Sequence, residues 1–206
     1  CSPDFGPGGA ADRLGQIGPK LLVAVPGYGY GGKRFIITDT INAVAEAGDV
    51  EQIIVLGHRP DSADYLRPAL TLADWLAPFV PAPIRFIRQP FDAPLAILFS
   101  SGTTGKPKCI VHRAGGLLLQ HKKEQVLHCD VRAGDRLFYY TTCGWMMWNW
   151  LLSGLASGAT LVTFDGNPAY PGPERLADLI DAEDNAIFGT SAKYIDSCRK
   201  AGLVPR

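Results

Sequence analysis

Four hydroxyls, two glycines and two lysines fall within nine consecutive positions: Ser100, Ser101, Gly102, Thr103, Thr104, Gly105, Lys106, Pro107 and Lys108. This set suits a polyphosphate. Glycine lets backbone N–H groups approach an anion closely, the hydroxyls add donors, and the lysines supply positive charge. Such a loop can hold the β- and γ-phosphates of ATP. It is not a Walker A loop, because only Thr103 and Thr104 separate the glycines and Pro107 stands where that loop has Ser or Thr after its lysine. Pro107 has no N–H and disfavours a helical Lys106, so the chain is expected to stay extended there. A plain surface turn could have this composition, but Lys-Pro-Lys behind an apolar run is rarer.

Other segments allow two readings. Trp145, Met146, Met147, Trp148 and Trp150 crowd six positions. They can be core, or part of them can wall an apolar ligand site, which methionine accommodates well. Trp148 and Trp150 read as core. Gly189, Thr190 and Ser191 follow a short apolar run, at the kind of strand end where open α/β sheets contact ligands. They equally suit a helix cap, and both readings stand. His112 reads as the start of a helix rather than a base. His121, His128 and Cys129 lack a second tight ligand pair and read as surface or packing residues. The five cysteines are irregularly spaced without a C-x-x-C pair, which excludes a disulfide framework or zinc ribbon and points to reduced thiols in a cytoplasmic setting.

These residues must be positioned by regular elements. The 206 residues are 47% hydrophobic and carry 20 basic and 20 acidic side chains, which excludes a disordered tail and gives no charge excess for a nucleic-acid partner. Twenty-three glycines and sixteen prolines fit many short elements joined by turns. Apolar runs at 21–25, 52–56, 95–99, 136–140, 160–164 and 186–188 predict strands. Amphipathic or apolar stretches at 37–45, 113–127, 145–156, 173–183 and 191–200 predict helices, with Ser191 as an N-cap. This alternation predicts an α/β fold of mostly parallel sheets with crossover helices. The proline-rich stretch 59–94, with at most a short helix at 71–76, is expected to run over the surface as a connector. No run reaches the roughly 20 apolar residues of a membrane span.

The motif Ser-Gly-Thr-Thr-Gly-Lys-Pro-Lys at 101–108 resembles the signature phosphate loop of the adenylate-forming superfamily, which includes acyl-CoA synthetases. Residues 1–6, 135–152 and 188–195 are similar to the branch that activates acetoacetate. The resemblance implies part of the N-terminal domain of such an enzyme, with one α/β portion at 1–92 and a second, carrying the loop, at 93–206. It further implies ATP, Mg²⁺ and coenzyme A as cofactor and co-substrates, and acetoacetate as the small-molecule acid. Thr103, Thr104 and Lys106 would contact the β- and γ-phosphates, with Thr104 and Lys106 as catalytic residues. Gly102 and Gly105 would let the loop fold, and Ser100, Ser101 and Lys108 would support it. Trp145, Met146 and Met147 would line the acyl pocket, while Gly189 and Thr190 would contact substrate. The Tyr28–Lys33 segment would lie near the coenzyme A entrance, but Pro26 and Tyr30 depart from the pattern there, and Lys33 reads as a solvated lysine rather than a phosphate contact. The Mg²⁺-binding acidic motif, the ribose-binding aspartate and the C-terminal lysine domain of such enzymes have no counterpart in the chain, which is expected to be an internal piece unable to complete the reaction alone.

Overall fold

A computed structural model describes residues 1–57, 64–100 and 105–203. They form two compact units, one of Cys1–Tyr28, Arg34–Pro90 and Pro94–His112, the other of Gly29–Lys33, Phe91–Ala93 and Arg113–Arg206.

The first unit opens with α1 (Pro7–Leu14), whose Pro7 occupies the first turn, where its missing N–H costs no intrahelical bond. Strand β1 (Leu21–Ala24) follows, then the ribbon strands β2 (Gly27–Tyr30) and β3 (Lys33–Ile36), of which Gly29–Lys33 is counted with the second unit. Gly31 and Gly32 join them with φ of 57° and 76°, the pair of positive values that a tight two-residue hairpin turn requires. Helix α2 (Thr38–Ala47) buries Ile41, Val44 and Ala45 as one stripe. Strands β4 (Gln52–Val55) and β5 (Ala69–Thr71) complete a parallel sheet in the order β1-β4-β5, with Leu21 opposite Gln52 and Ile53 opposite Ala69. Ile53, Ile54 and Val55 of the central strand are all buried, as a parallel strand covered on both faces demands. Helix α3 (Leu72–Leu76) is capped by the Thr71 hydroxyl, which accepts from the Asp74 N–H at 3.1 Å. Strands β6 (Pro94–Phe99) and β7 (Cys109–Arg113) form a separate two-stranded sheet.

In the second unit, α4 (Ala114–Lys122) runs into a π turn at Lys123–His128. Strand β8 (Arg136–Tyr139) and α5 (Met146–Ser153) come next, and α5 ends in a 3₁₀ turn at Gly154–Ser157. Strand β9 (Thr160–Val162), α6 (Arg175–Glu183), β10 (Ile187–Gly189) and α7 (Ala192–Lys200) complete the chain of elements. The sheet order is β10-β8-β9, all parallel. Central strand β8 alternates its side chains between two cores: Leu137 packs with Trp150, Leu151 and Val131, and Phe138 with Val162 and Leu176. The expected mostly parallel α/β fold is therefore present.

Four differences from the sequence expectations have physical causes. The helix expected from residue 113 begins at Ala114, because Cys109–Arg113 pairs as β7 instead. His112 accordingly lies within a strand, not at a helix start. The connector contributes β5, since Ala69 and Leu70 can extend the β4 ladder. Helix α4 changes to a π turn at Lys123, where the extra residue per turn accompanies the fully buried Gln125.

Candidate functional site

The described ends of the glycine-rich loop are tied together at the base of the β6–β7 sheet. The Ser100 N–H donates to the Lys108 carbonyl at 3.0 Å, and the Lys108 N–H donates to the Ser100 hydroxyl at 3.0 Å. Gly105 has φ +93°, a backbone state that a side chain would strain. Pro107 is buried and outside any helix, as its chemistry predicts, while Lys106 and Lys108 are exposed on either side of it. The Pro107 carbonyl accepts from Gln16 Nε2 at 2.9 Å, and Lys106 Nζ lies 3.7 Å from Asp12 Oδ1. The structure thus brings Ser100 and Lys108 into contact and presents two ammonium groups around an anchored proline. Ser101, Gly102, Thr103 and Thr104 lie outside the described residues.

Asp12 and Gln16 were not singled out in the sequence. Each looks like an ordinary helix-end polar residue, and nothing local signals a partner about 90 positions away.

In the second unit, Trp145 flanks the start of α5 and is 67% exposed, and Met146 is 51% exposed. Met147 and Trp148 are half-buried against the Leu137 cluster, and Trp150 is buried within it. The core reading of Trp150 holds, and Met147 packs inward. Gly189 ends β10, where its carbonyl accepts from the Tyr140 N–H at 2.8 Å and a Cβ would overlap the Tyr139 ring. The Thr190 hydroxyl is buried without a hydrogen-bond partner among the described residues. Ser191 caps α7, its hydroxyl accepting from the Tyr194 N–H at 3.2 Å. Burial, followed by the Cys198 contact, pushes the Tyr194 phenol above its ordinary range.

Lys33 is exposed at the start of β3. His121 is buried, with Nδ1 2.8 Å from the Ser153 hydroxyl, while His128 and Cys129 are exposed. Among the described residues no group of three or more His, Cys, Asp or Glu side chains could hold a metal ion. The exposed lysines, the left-handed Gly105 and the orphaned Thr190 hydroxyl are each suited to a phosphate-bearing or oxygen-rich ligand.

Parallel sheets with crossover helices, and a Gly-Lys-Pro-Lys segment leading into β7, define an α/β protein. The model of the AMP-binding enzyme family matches residues 1–203, and the chain belongs to that family. It is 55% identical over 207 residues to the acetoacetyl-coenzyme A synthetase of Rhizobium meliloti (strain 1021), covering 100% of this chain and 32% of the relative. It is 41% identical over 224 residues to a malonamoyl-CoA synthetase of Penicillium aethiopicum, covering 100% of this chain and 31% of the relative. The solved acetoacetyl-CoA synthetase from Streptomyces lividans superposes with a TM-score of 0.90 at 40% identity, over 100% of this chain and 31% of that one. The chain therefore spans about a third of the length of the relatives it matches.

Proposed function

We propose that this chain is the phosphate-binding part of an ATP-dependent acid–thiol ligase that activates acetoacetate. In the first half-reaction an acid carboxylate oxygen attacks the α-phosphorus, the bond to pyrophosphate breaks, and an acyl-adenylate forms. In the second, the coenzyme A thiolate attacks the acyl carbon and AMP departs. The observation that carries the reading is the anchored Lys106–Pro107–Lys108 segment, with both ammonium groups exposed beside a tied loop base.

On this reading Lys106 meets the β- and γ-phosphates together with Thr103 and Thr104, and stabilises the charge that grows on the departing pyrophosphate. Gly102 and Gly105 let the backbone turn around the phosphates, and Ser100, Ser101 and Lys108 hold the loop's ends. Mg²⁺, when bound, supplies further charge neutralisation at the same group. Trp145 and Met146 offer exposed apolar surface for the acyl chain, with Met147 packed behind them. Gly189 and Thr190 contact the ligand through the bare backbone and the orphaned hydroxyl.

A second reading keeps the chemistry and changes the acid. Malonamate differs from acetoacetate by an amino group in place of the terminal methyl, and the malonamoyl-CoA synthetase is nearly as similar to this chain as the 42% identical rat acetoacetyl-CoA synthetase. The test is acid-dependent pyrophosphate exchange by the chain extended to the length of its relatives. Acetoacetate is expected to outrun malonamate, acetate, propionate and butyrate. Preference for malonamate selects the second reading. ATP-induced thermal stabilisation without exchange for any acid would reduce the protein to a nucleotide-binding module.

A further inference from the structure

We infer that Gln16 is a positioning residue for Lys106, acting through the carbonyl of Pro107; this rests on the phosphate-loop reading above. The inference starts from the end of α1. Of the four carbonyls that its last turn leaves without helical partners, those of Ala11, Arg13 and Leu14 accept from the N–H groups of Gly15, Gln16 and Ile17. The Asp12 carbonyl is left over. Gln16 Nε2 donates to it at 2.6 Å and donates its second proton to the Pro107 carbonyl at 2.9 Å. Both amide protons are thus committed, and the reversed amide would set its oxygen against two carbonyls. The side chain has one satisfied orientation.

Pro107 is buried and has no N–H, so its carbonyl is the one backbone group through which that residue can be tied down. Its successor is already fixed, because the Lys108 N–H is held by the Ser100 hydroxyl. Gln16 therefore completes an anchor on the C-terminal side of Lys106, while left-handed Gly105 sets the entry on the other side. Asp12, on the same helix turn, draws the Lys106 ammonium to 3.7 Å without burying it. An exposed pair of this kind is weak, and a polyphosphate displaces it. Gln16 sets where the Lys106 backbone stands, and Asp12 holds its charge until the ligand arrives.

The test is a double-mutant cycle in the ligase extended to the length of its relatives. Gln16→Met keeps the reach and removes both donors; should it not fold, the isosteric Gln16→Glu serves instead. The expected result is a loss of kcat/KM for ATP on the order of 10- to 100-fold, with KM for the acid unchanged. Added to Lys106→Ala, the Gln16 substitution is expected to cause little further loss. Wild-type kcat/KM for ATP in the folded Gln16 variant, or full additivity with Lys106→Ala, overturns the inference alone. Wild-type exchange by Lys106→Ala itself overturns the phosphate-loop reading and this inference with it.

Discussion

On the proposed reading two requirements meet at Lys106: the ammonium must be reachable from solvent, and the backbone carrying it must not wander. The side chain is 72% exposed and its ion pair with Asp12 is loose, so it adds little to folding. Lys106→Ala is therefore expected to lower pyrophosphate exchange by about 10²–10³-fold. Its melting midpoint should stay close to wild type, as for a surface substitution worth within about 0.5 kcal/mol. Parallel exchange assays and thermal melts check the split. Gly189 is the opposite case, chosen by a neighbour's bulk. A Cβ there would overlap the Tyr139 ring, which is held beside Trp150 with ring centroids 6.0 Å apart. Gly189→Ala is expected to cost about 1–3 kcal/mol, measured by denaturant unfolding.

Among the elements, the turn from α4 through the π turn depends on one polar side chain. Gln125 is fully buried, donates to the Trp150 carbonyl at 2.7 Å and accepts from the Ser157 hydroxyl at 2.9 Å. Gln125→Leu leaves both partners without this bond and is expected to destabilise by about 1–3 kcal/mol in chemical denaturation. Ser157→Ala, which removes only the second bond, should cost less. The elements differ in how legible they are in the sequence. Strands β4 and β8 announce themselves because a buried parallel strand needs an unbroken apolar run such as Ile53-Ile54-Val55. Strand β3 does not, since Lys33, Arg34, Phe35 and Ile36 are all exposed and carry no alternation. Strand β7 is hidden in the same way, its Ile110 and Val111 exposed beside His112. The non-helical backbone at Pro107 is legible because proline's own chemistry dictates it. The Gln16 anchor is not, because it pairs residues brought together only by the fold.

Across the whole molecule, large apolar side chains stand in water along the connector: Val80, Phe86 and Ile87 are each at least 80% exposed. Exposed apolar surface of this extent promotes association. The purified 206-residue chain is expected to self-associate with rising concentration, which sedimentation velocity would show, and to form no acetoacetyl-CoA from acetoacetate, ATP and coenzyme A. Thioester formation by the chain alone would contradict the proposal that it is only the phosphate-binding part of such a ligase. The parallel order β10-β8-β9 has a further consequence, in time. Arg136 meets Thr160 and Leu137 meets Ile187, separations of 24 and 50 residues. At about 5–20 residues per second of synthesis, β8 waits roughly 1–5 s for its first neighbour and roughly 2.5–10 s for its second. Stalled nascent chains should show β8 gaining protease protection in two steps, with one edge of this strand open on the ribosome for several seconds.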